Sequence, residues 1–215
     1  MTVVTMLTLI SLSHTRCLSA PLVLNGSFEA PSLGVNGFAL GAGAIWSSSS
    51  TPGSFGGPGV WDDAYLSFTR IPAIDGRQVL WMPPGTSASQ TISLTAGTSY
   101  LLSFFTTPQI GNTIDTELFV TLTSGSQSVA GGYGIGQGSS VWTNSQLTFT
   151  AADTGTYTAT FFAKDTWTLY GNSAVLYLDN VSLTAVSESG SSSYILGIAI
   201  LGIVVLRREH SNIRP

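Results

Sequence analysis

Between residues 21 and 186, apolar and polar positions alternate in short runs separated by Gly, Pro, Asn and Asp. The stretch Thr156-Tyr157-Thr158-Ala159-Thr160-Phe161 shows the period of two most clearly. That period turns one face of a strand to a core and the other to water. No helical period of convincing length competes with it. The pattern predicts strands over residues 44–49, 65–69, 78–82, 89–94, 99–106, 117–123, 142–150, 156–163 and 175–185. Thr95-Ala96-Gly97-Thr98 and Asp153-Thr154-Gly155 read as tight connections in which glycine supplies a positive φ. Residues 51–59 (TPGSFGGPG) are too rich in Gly and Pro for a strand and read as a surface loop. So many short strands predict an all-β fold, an antiparallel β-sandwich of the jelly-roll kind.

Composition narrows the chemistry. Charged residues are 8% of the 215, and the alternating region has room for one domain with its own core. That region holds three basic residues, Arg70, Arg77 and Lys164, against nine acidic ones. A surplus of six negative charges excludes nucleic acid as a partner. The only histidines, His14 and His210, and the only cysteine, Cys17, lie outside it. Nucleophilic triads, His/Cys zinc sites and disulfides are therefore excluded there. Carboxylate, hydroxyl, amide, aromatic and backbone chemistry remain.

The two ends differ from the middle. Residues 1–20 contain an apolar stretch followed by small residues and predict a signal peptide. Residues 187–193 form a Ser-rich linker, and residues 194–215 hold the apolar run YILGIAILGIVVL followed by Arg207-Arg208. At about 13 residues the run reaches roughly 20 Å, short of the hydrocarbon thickness of a bilayer. The basic pair is expected to stay on the cytoplasmic side of the inner membrane, with the domain outside. Val186-Ser187-Glu188-Ser189-Gly190-Ser191, the apolar stretch and the Arg pair together resemble the VPDSG-CTERM sorting signals, relatives of PEP-CTERM tails. The resemblance implies an exported Gram-negative bacterial protein processed by an exosortase-like membrane protease. A plain membrane anchor is the alternative.

A second resemblance covers the domain. Its segments are Leu24-Asn25-Gly26-Ser27-Phe28-Glu29, Ile74-Asp75-Gly76-Arg77-Gln78-Val79-Leu80, Gln90-Thr91-Ile92 and Ala96-Gly97-Thr98-Ser99-Tyr100. Trp142 through Ala151 and Leu178-Asp179-Asn180-Val181-Ser182-Leu183 complete the set. In that order they resemble the galactose-binding-like jelly rolls, among them carbohydrate-binding modules of the family 4, 9 and 22 type. The resemblance implies a structural Ca²⁺ held by Glu29 and Asp179, with Asn25 as a weaker third ligand. Hard oxygen donors are what that ion takes.

Sugars offer apolar C–H faces to flat rings and hydroxyls to amides and carboxylates. Trp61, Tyr65, Tyr133, Trp167 and Tyr170 stand near Gly-, Asp- and Asn-rich segments and are the candidate ligand-binding rings, whereas Trp46, Trp81 and Trp142 are assigned to buried positions. The acidic clusters Asp62-Asp63 and Asp115/Glu117 read as solvated loop acids rather than a hydrolytic pair. The expected function is non-catalytic binding of a polysaccharide at the cell surface. A structural envelope or extracellular-matrix protein without a discrete ligand is the competing expectation.

Overall fold

A computed structural model describes residues 21–51, 57–62, 72–109, 116–125, 127–135, 141–164 and 175–186. It holds eleven strands: β1 (Phe38–Leu40), β2 (Ser47–Ser50), β3 (Gly59–Asp62), β4 (Gln78–Met82), β5 (Thr86–Leu94) and β6 (Ser99–Pro108), then β7 (Thr116–Ser124), β8 (Gln127–Ile135), β9 (Thr143–Thr150), β10 (Gly155–Ala163) and β11 (Leu176–Ala185). Six form one sheet in the order β1-β3-β4-β11-β6-β9, and five form the other in the order β2-β5-β10-β7-β8. Neighbouring strands in both sheets run antiparallel. The described residues contain no helix.

Alternation decides which side chains meet between the sheets. On β10 the buried positions Tyr157, Ala159, Phe161 and Ala163 interleave with the wetter Thr156, Thr158, Thr160 and Phe162. Leu80 and Met82 of β4, Leu176 and Leu178 of β11, and Leu102 and Phe104 of β6 approach from the opposite sheet, all fully buried. Phe104 meets Phe161 edge-on at 5.3 Å, and Trp46 meets Phe161 at 5.9 Å. Burying rings of this size supplies much of the favourable free energy of a sandwich.

The described strands differ in part from the expected ones. β1, β3 and β8 had no counterpart, and the expected strand 65–69 lies outside the described residues. The 44–49 strand begins only at Ser47, and Trp46 just before it is buried in the core. Gly57, Pro58 and Gly59, read as surface loop, are buried, and Gly59 opens β3. Pro58 stands just before β3, and its carbonyl accepts Gly41 N at 2.7 Å.

Candidate functional site

Glu29 and Asp179 grip one turn from its two ends. Glu29 Oε1 accepts Arg77 N at 2.7 Å and Gln78 N at 2.6 Å. Asp179 Oδ2 accepts Ile74 N at 2.7 Å and Asp75 N at 3.1 Å, while its Oδ1 accepts Asn180 N at 2.6 Å. Gly76, between the two grips, has φ +75°, and a Cβ there would stand 2.4 Å from the Glu29 carboxylate. Only glycine fits that backbone and that approach. Asn25 is occupied nearer the chain start: its Oδ1 accepts Ala30 N at 2.9 Å and its Nδ2 donates to Ala30 O at 2.8 Å.

This arrangement bears on calcium. A Ca²⁺ site needs oxygens converging on a common point. Here the 74–78 turn aims N–H groups at one oxygen of each carboxylate, Glu29 Oε1 and Asp179 Oδ2. Among the described residues no three His, Cys, Asp or Glu gather closely enough to hold a metal ion. Backbone hydrogen bonds thus give both carboxylates partners without an ion. The expected result is a melting temperature unmoved by millimolar chelator. A midpoint that climbs with added Ca²⁺ would instead place a cation on the native state.

The rings chosen from sequence are used structurally where they are described. Trp61 on β3 stacks on Trp81 of β4 with ring centres 5.2 Å apart and planes at 25°, and Phe38 stands edge-on to both. Beneath them Val79 and Tyr177 are fully buried, with Ala73 and Trp142 packed alongside. Trp142 Nε1 donates to Pro72 O at 2.8 Å. Burial pushes the Tyr177 phenol far above its usual range. This is a second small core on the outer side of the six-stranded sheet, and Trp61 is one of its walls. Trp81 and Trp142 also belong to it, outside the main core that holds Trp46.

Tyr133 on β8 turns inward. Its ring meets Phe104 edge-on at 5.0 Å and its hydroxyl donates to Gln146 O of β9 at 3.0 Å. It thus ties the two sheets together along one side, and desolvation raises its pKa. Tyr65, Trp167 and Tyr170 lie outside the described residues, as do Asp63 and Asp115. Asp62, read as a solvated acid, is only 2% exposed. It accepts Asn36 N at 3.2 Å and pairs with Arg77 at 3.3 Å.

The outer side of the five-stranded sheet presents different chemistry. Cross-strand rows of hydroxyls run over it: Ser89, Thr160 and Thr121 in one, Thr91, Thr158 and Thr123 in the next. The row beyond Thr160 breaks the series with two rings, Phe162 opposite Phe119. Phe119 is 37% exposed. Its strand partner on the far side is Gly132, and a Cβ on that glycine would meet the ring edge at 3.4 Å. The ring therefore leans over a position that has no side chain. Next comes a charged pair: Lys164 Nζ meets Glu117 Oε2 at 2.5 Å and lies 5.9 Å from the Phe119 centroid. Gly134 stands opposite Glu117 and again adds no side chain. An exposed ring, hydroxyls on one flank and a donor-acceptor pair on the other make a shallow polar-aromatic step. Sequence reasoning missed Phe119, Phe162 and Lys164, although a bulky ring in the wet phase of a period-two strand was the available signal.

Neither a family model nor a curated protein sequence matches the chain. Solved structures do. TmCBM61, a carbohydrate-binding module determined in complex with β-1,4-galactotriose, aligns with a TM-score of 0.55 at 17% identity, over 78% of this chain and 100% of that one. The arabinose-bound MgGH51 α-L-arabinofuranosidase aligns with a TM-score of 0.53 at 16% identity, over 77% of this chain but 26% of that one. The fold is an all-β antiparallel sandwich of the jelly-roll type. At this identity the likeness speaks for the fold and leaves the site to be argued from its own residues.

Proposed function

We propose that the chain is a non-catalytic carbohydrate-binding module whose ligand, a polysaccharide, lies across the outer face of the five-stranded sheet. The observation that carries this reading is the exposed Phe119 ring over Gly132, flanked by Thr121, Thr160 and the Lys164–Glu117 pair. A pyranose can stack its C–H face on such a ring while its hydroxyls bond the flanking groups. The fold shared with a module solved with galactotriose supports the same reading. Four of the described acids have structural partners: Asp62 and Glu117 are engaged in ion pairs, and Glu29 and Asp179 hold backbone amides. Export to the envelope or cell surface belongs to the proposal through the two ends of the sequence, which lie outside the described residues, as does processing by an exosortase-like protease.

A glycan array and affinity electrophoresis through polysaccharide gels test the binding. The expected result is retention by at least one neutral polysaccharide. A chain that none of them retains would be a structural component of the envelope or matrix instead.

A further inference from the structure

We propose that the Lys164–Glu117 pair makes this face selective for uncharged sugars, each member holding one of two neighbouring hydroxyls of a hexose. The inference rests on the carbohydrate-binding reading and names the ligand class of the same site.

The two residues face each other across β10 and β7. Lys164 N continues the ladder by donating to Glu117 O at 2.9 Å, and their side chains meet above it. Those side chains are 45% and 44% exposed, so each keeps polar atoms toward solvent. An ammonium has three donors and spends one here; a carboxylate has two oxygens and spends one. Adjacent hydroxyls of a pyranose offer an acceptor and a donor side by side, which such a pair can meet with two charge-assisted hydrogen bonds. The ammonium stands over the Phe119 ring, 5.9 Å from its centroid, so a sugar that comes onto that face meets it directly.

A sugar carboxylate meets a different balance. Lys164 is already compensated by Glu117, and the surplus of six negative charges between residues 21 and 186 repels a polyanion. Among the described residues the other basic side chain, Arg77, is tied to the buried Asp62 beside the opposite sheet. The face therefore has a hydrogen-bonding pair without net charge, suited to a neutral hexose chain.

Affinity electrophoresis of the full chain tests this, with β-1,4-galactan, arabinan and xylan as neutral probes and polygalacturonate as the acidic one. The wild type is expected to be retarded by at least one neutral polymer and to run freely in polygalacturonate. Glu117→Gln uncovers the ammonium: neutral affinity falls about tenfold, the scale of one charge-assisted bond, while polygalacturonate retardation appears and fades with salt. Lys164→Met keeps the aliphatic stem beside the ring, loses neutral affinity to a similar degree and gains nothing for the acid. Both variants are expected to melt within about 2 °C of wild type, because an exposed pair contributes little stability. If Glu117→Gln binds as wild type does while Phe119→Ala does not, selectivity by the pair is overturned and carbohydrate binding stands. Wild-type retardation by polygalacturonate also overturns the selectivity. A wild type that no polymer retards overturns both readings.

Discussion

Phe119→Ala is expected to remove retention by whichever polysaccharide the wild type binds, weakening it by about 2 kcal/mol or roughly 30-fold. The ring is the more exposed of the two on this face, and at 37% exposure its removal leaves the core intact. The melting temperature should change little. Trp61→Ala is the informative contrast. That ring stacks on Trp81 and meets Phe38 edge-on, so its loss opens a hole in the outer cluster of the six-stranded sheet. Truncating a packed ring costs about 3 kcal/mol of stability or more. Glycan affinity of the protein that remains folded should then be that of wild type. Isothermal titration of both variants, with thermal melts alongside, separates the two roles. Retained affinity in Phe119→Ala and lost affinity in a folded Trp61→Ala would move the site to the other sheet.

The contrast explains what was legible in the sequence. β10 was readable because Tyr157, Ala159 and Phe161 alternate with threonines, and a half-buried strand leaves that signature. β8 was not, because Gly131, Gly132 and Gly134 erase the alternation. One of them, Gly132, leaves room for Phe119, so a feature that hid the strand also shaped the candidate site. Choosing rings by their nearness to loop-like segments favoured Tyr133, which in fact folds inward against Phe104. Phe119 and Phe162 sit inside expected strands, at positions where neighbours of the same phase are Thr, Glu or Lys. An apolar ring on the wet side of a strand lacks the burial that ordinarily accounts for it, and that is a better pointer than loop proximity. The acidic residues show a related limit. Adjacency in sequence suggested that Asp62 was a solvated loop acid, whereas its partner Arg77 is set by the β3–β4 pairing, which no local pattern reveals.

Asp179→Ala is expected to lower stability most near pH 4 and least above pH 7. Three backbone N–H groups, from Ile74, Asp75 and Asn180, end on this one carboxyl group, which is fully buried. Leaving three donors without an acceptor costs about 3 kcal/mol, or roughly 6–12 °C in a domain of this size. Burial pushes the Asp179 pKa up to about 7, against the pull of those same three N–H groups and with the charge of Asp75 adding to the rise. An unfolded aspartate releases its proton near 3.9. Between about pH 4 and pH 7 the folded chain therefore holds a proton that the unfolded chain has lost. Stability from this group is present in full below pH 4 and declines as pH rises toward 7, by up to about 1.4 kcal/mol per unit. The alanine variant lacks that decline, so its deficit against wild type should be widest near pH 4 and narrow by pH 8. Thermal melts of both proteins at the two pH values provide the measurement. Parallel curves would mean that Asp179 stays ionised in the folded chain, with its three N–H donors outweighing the burial.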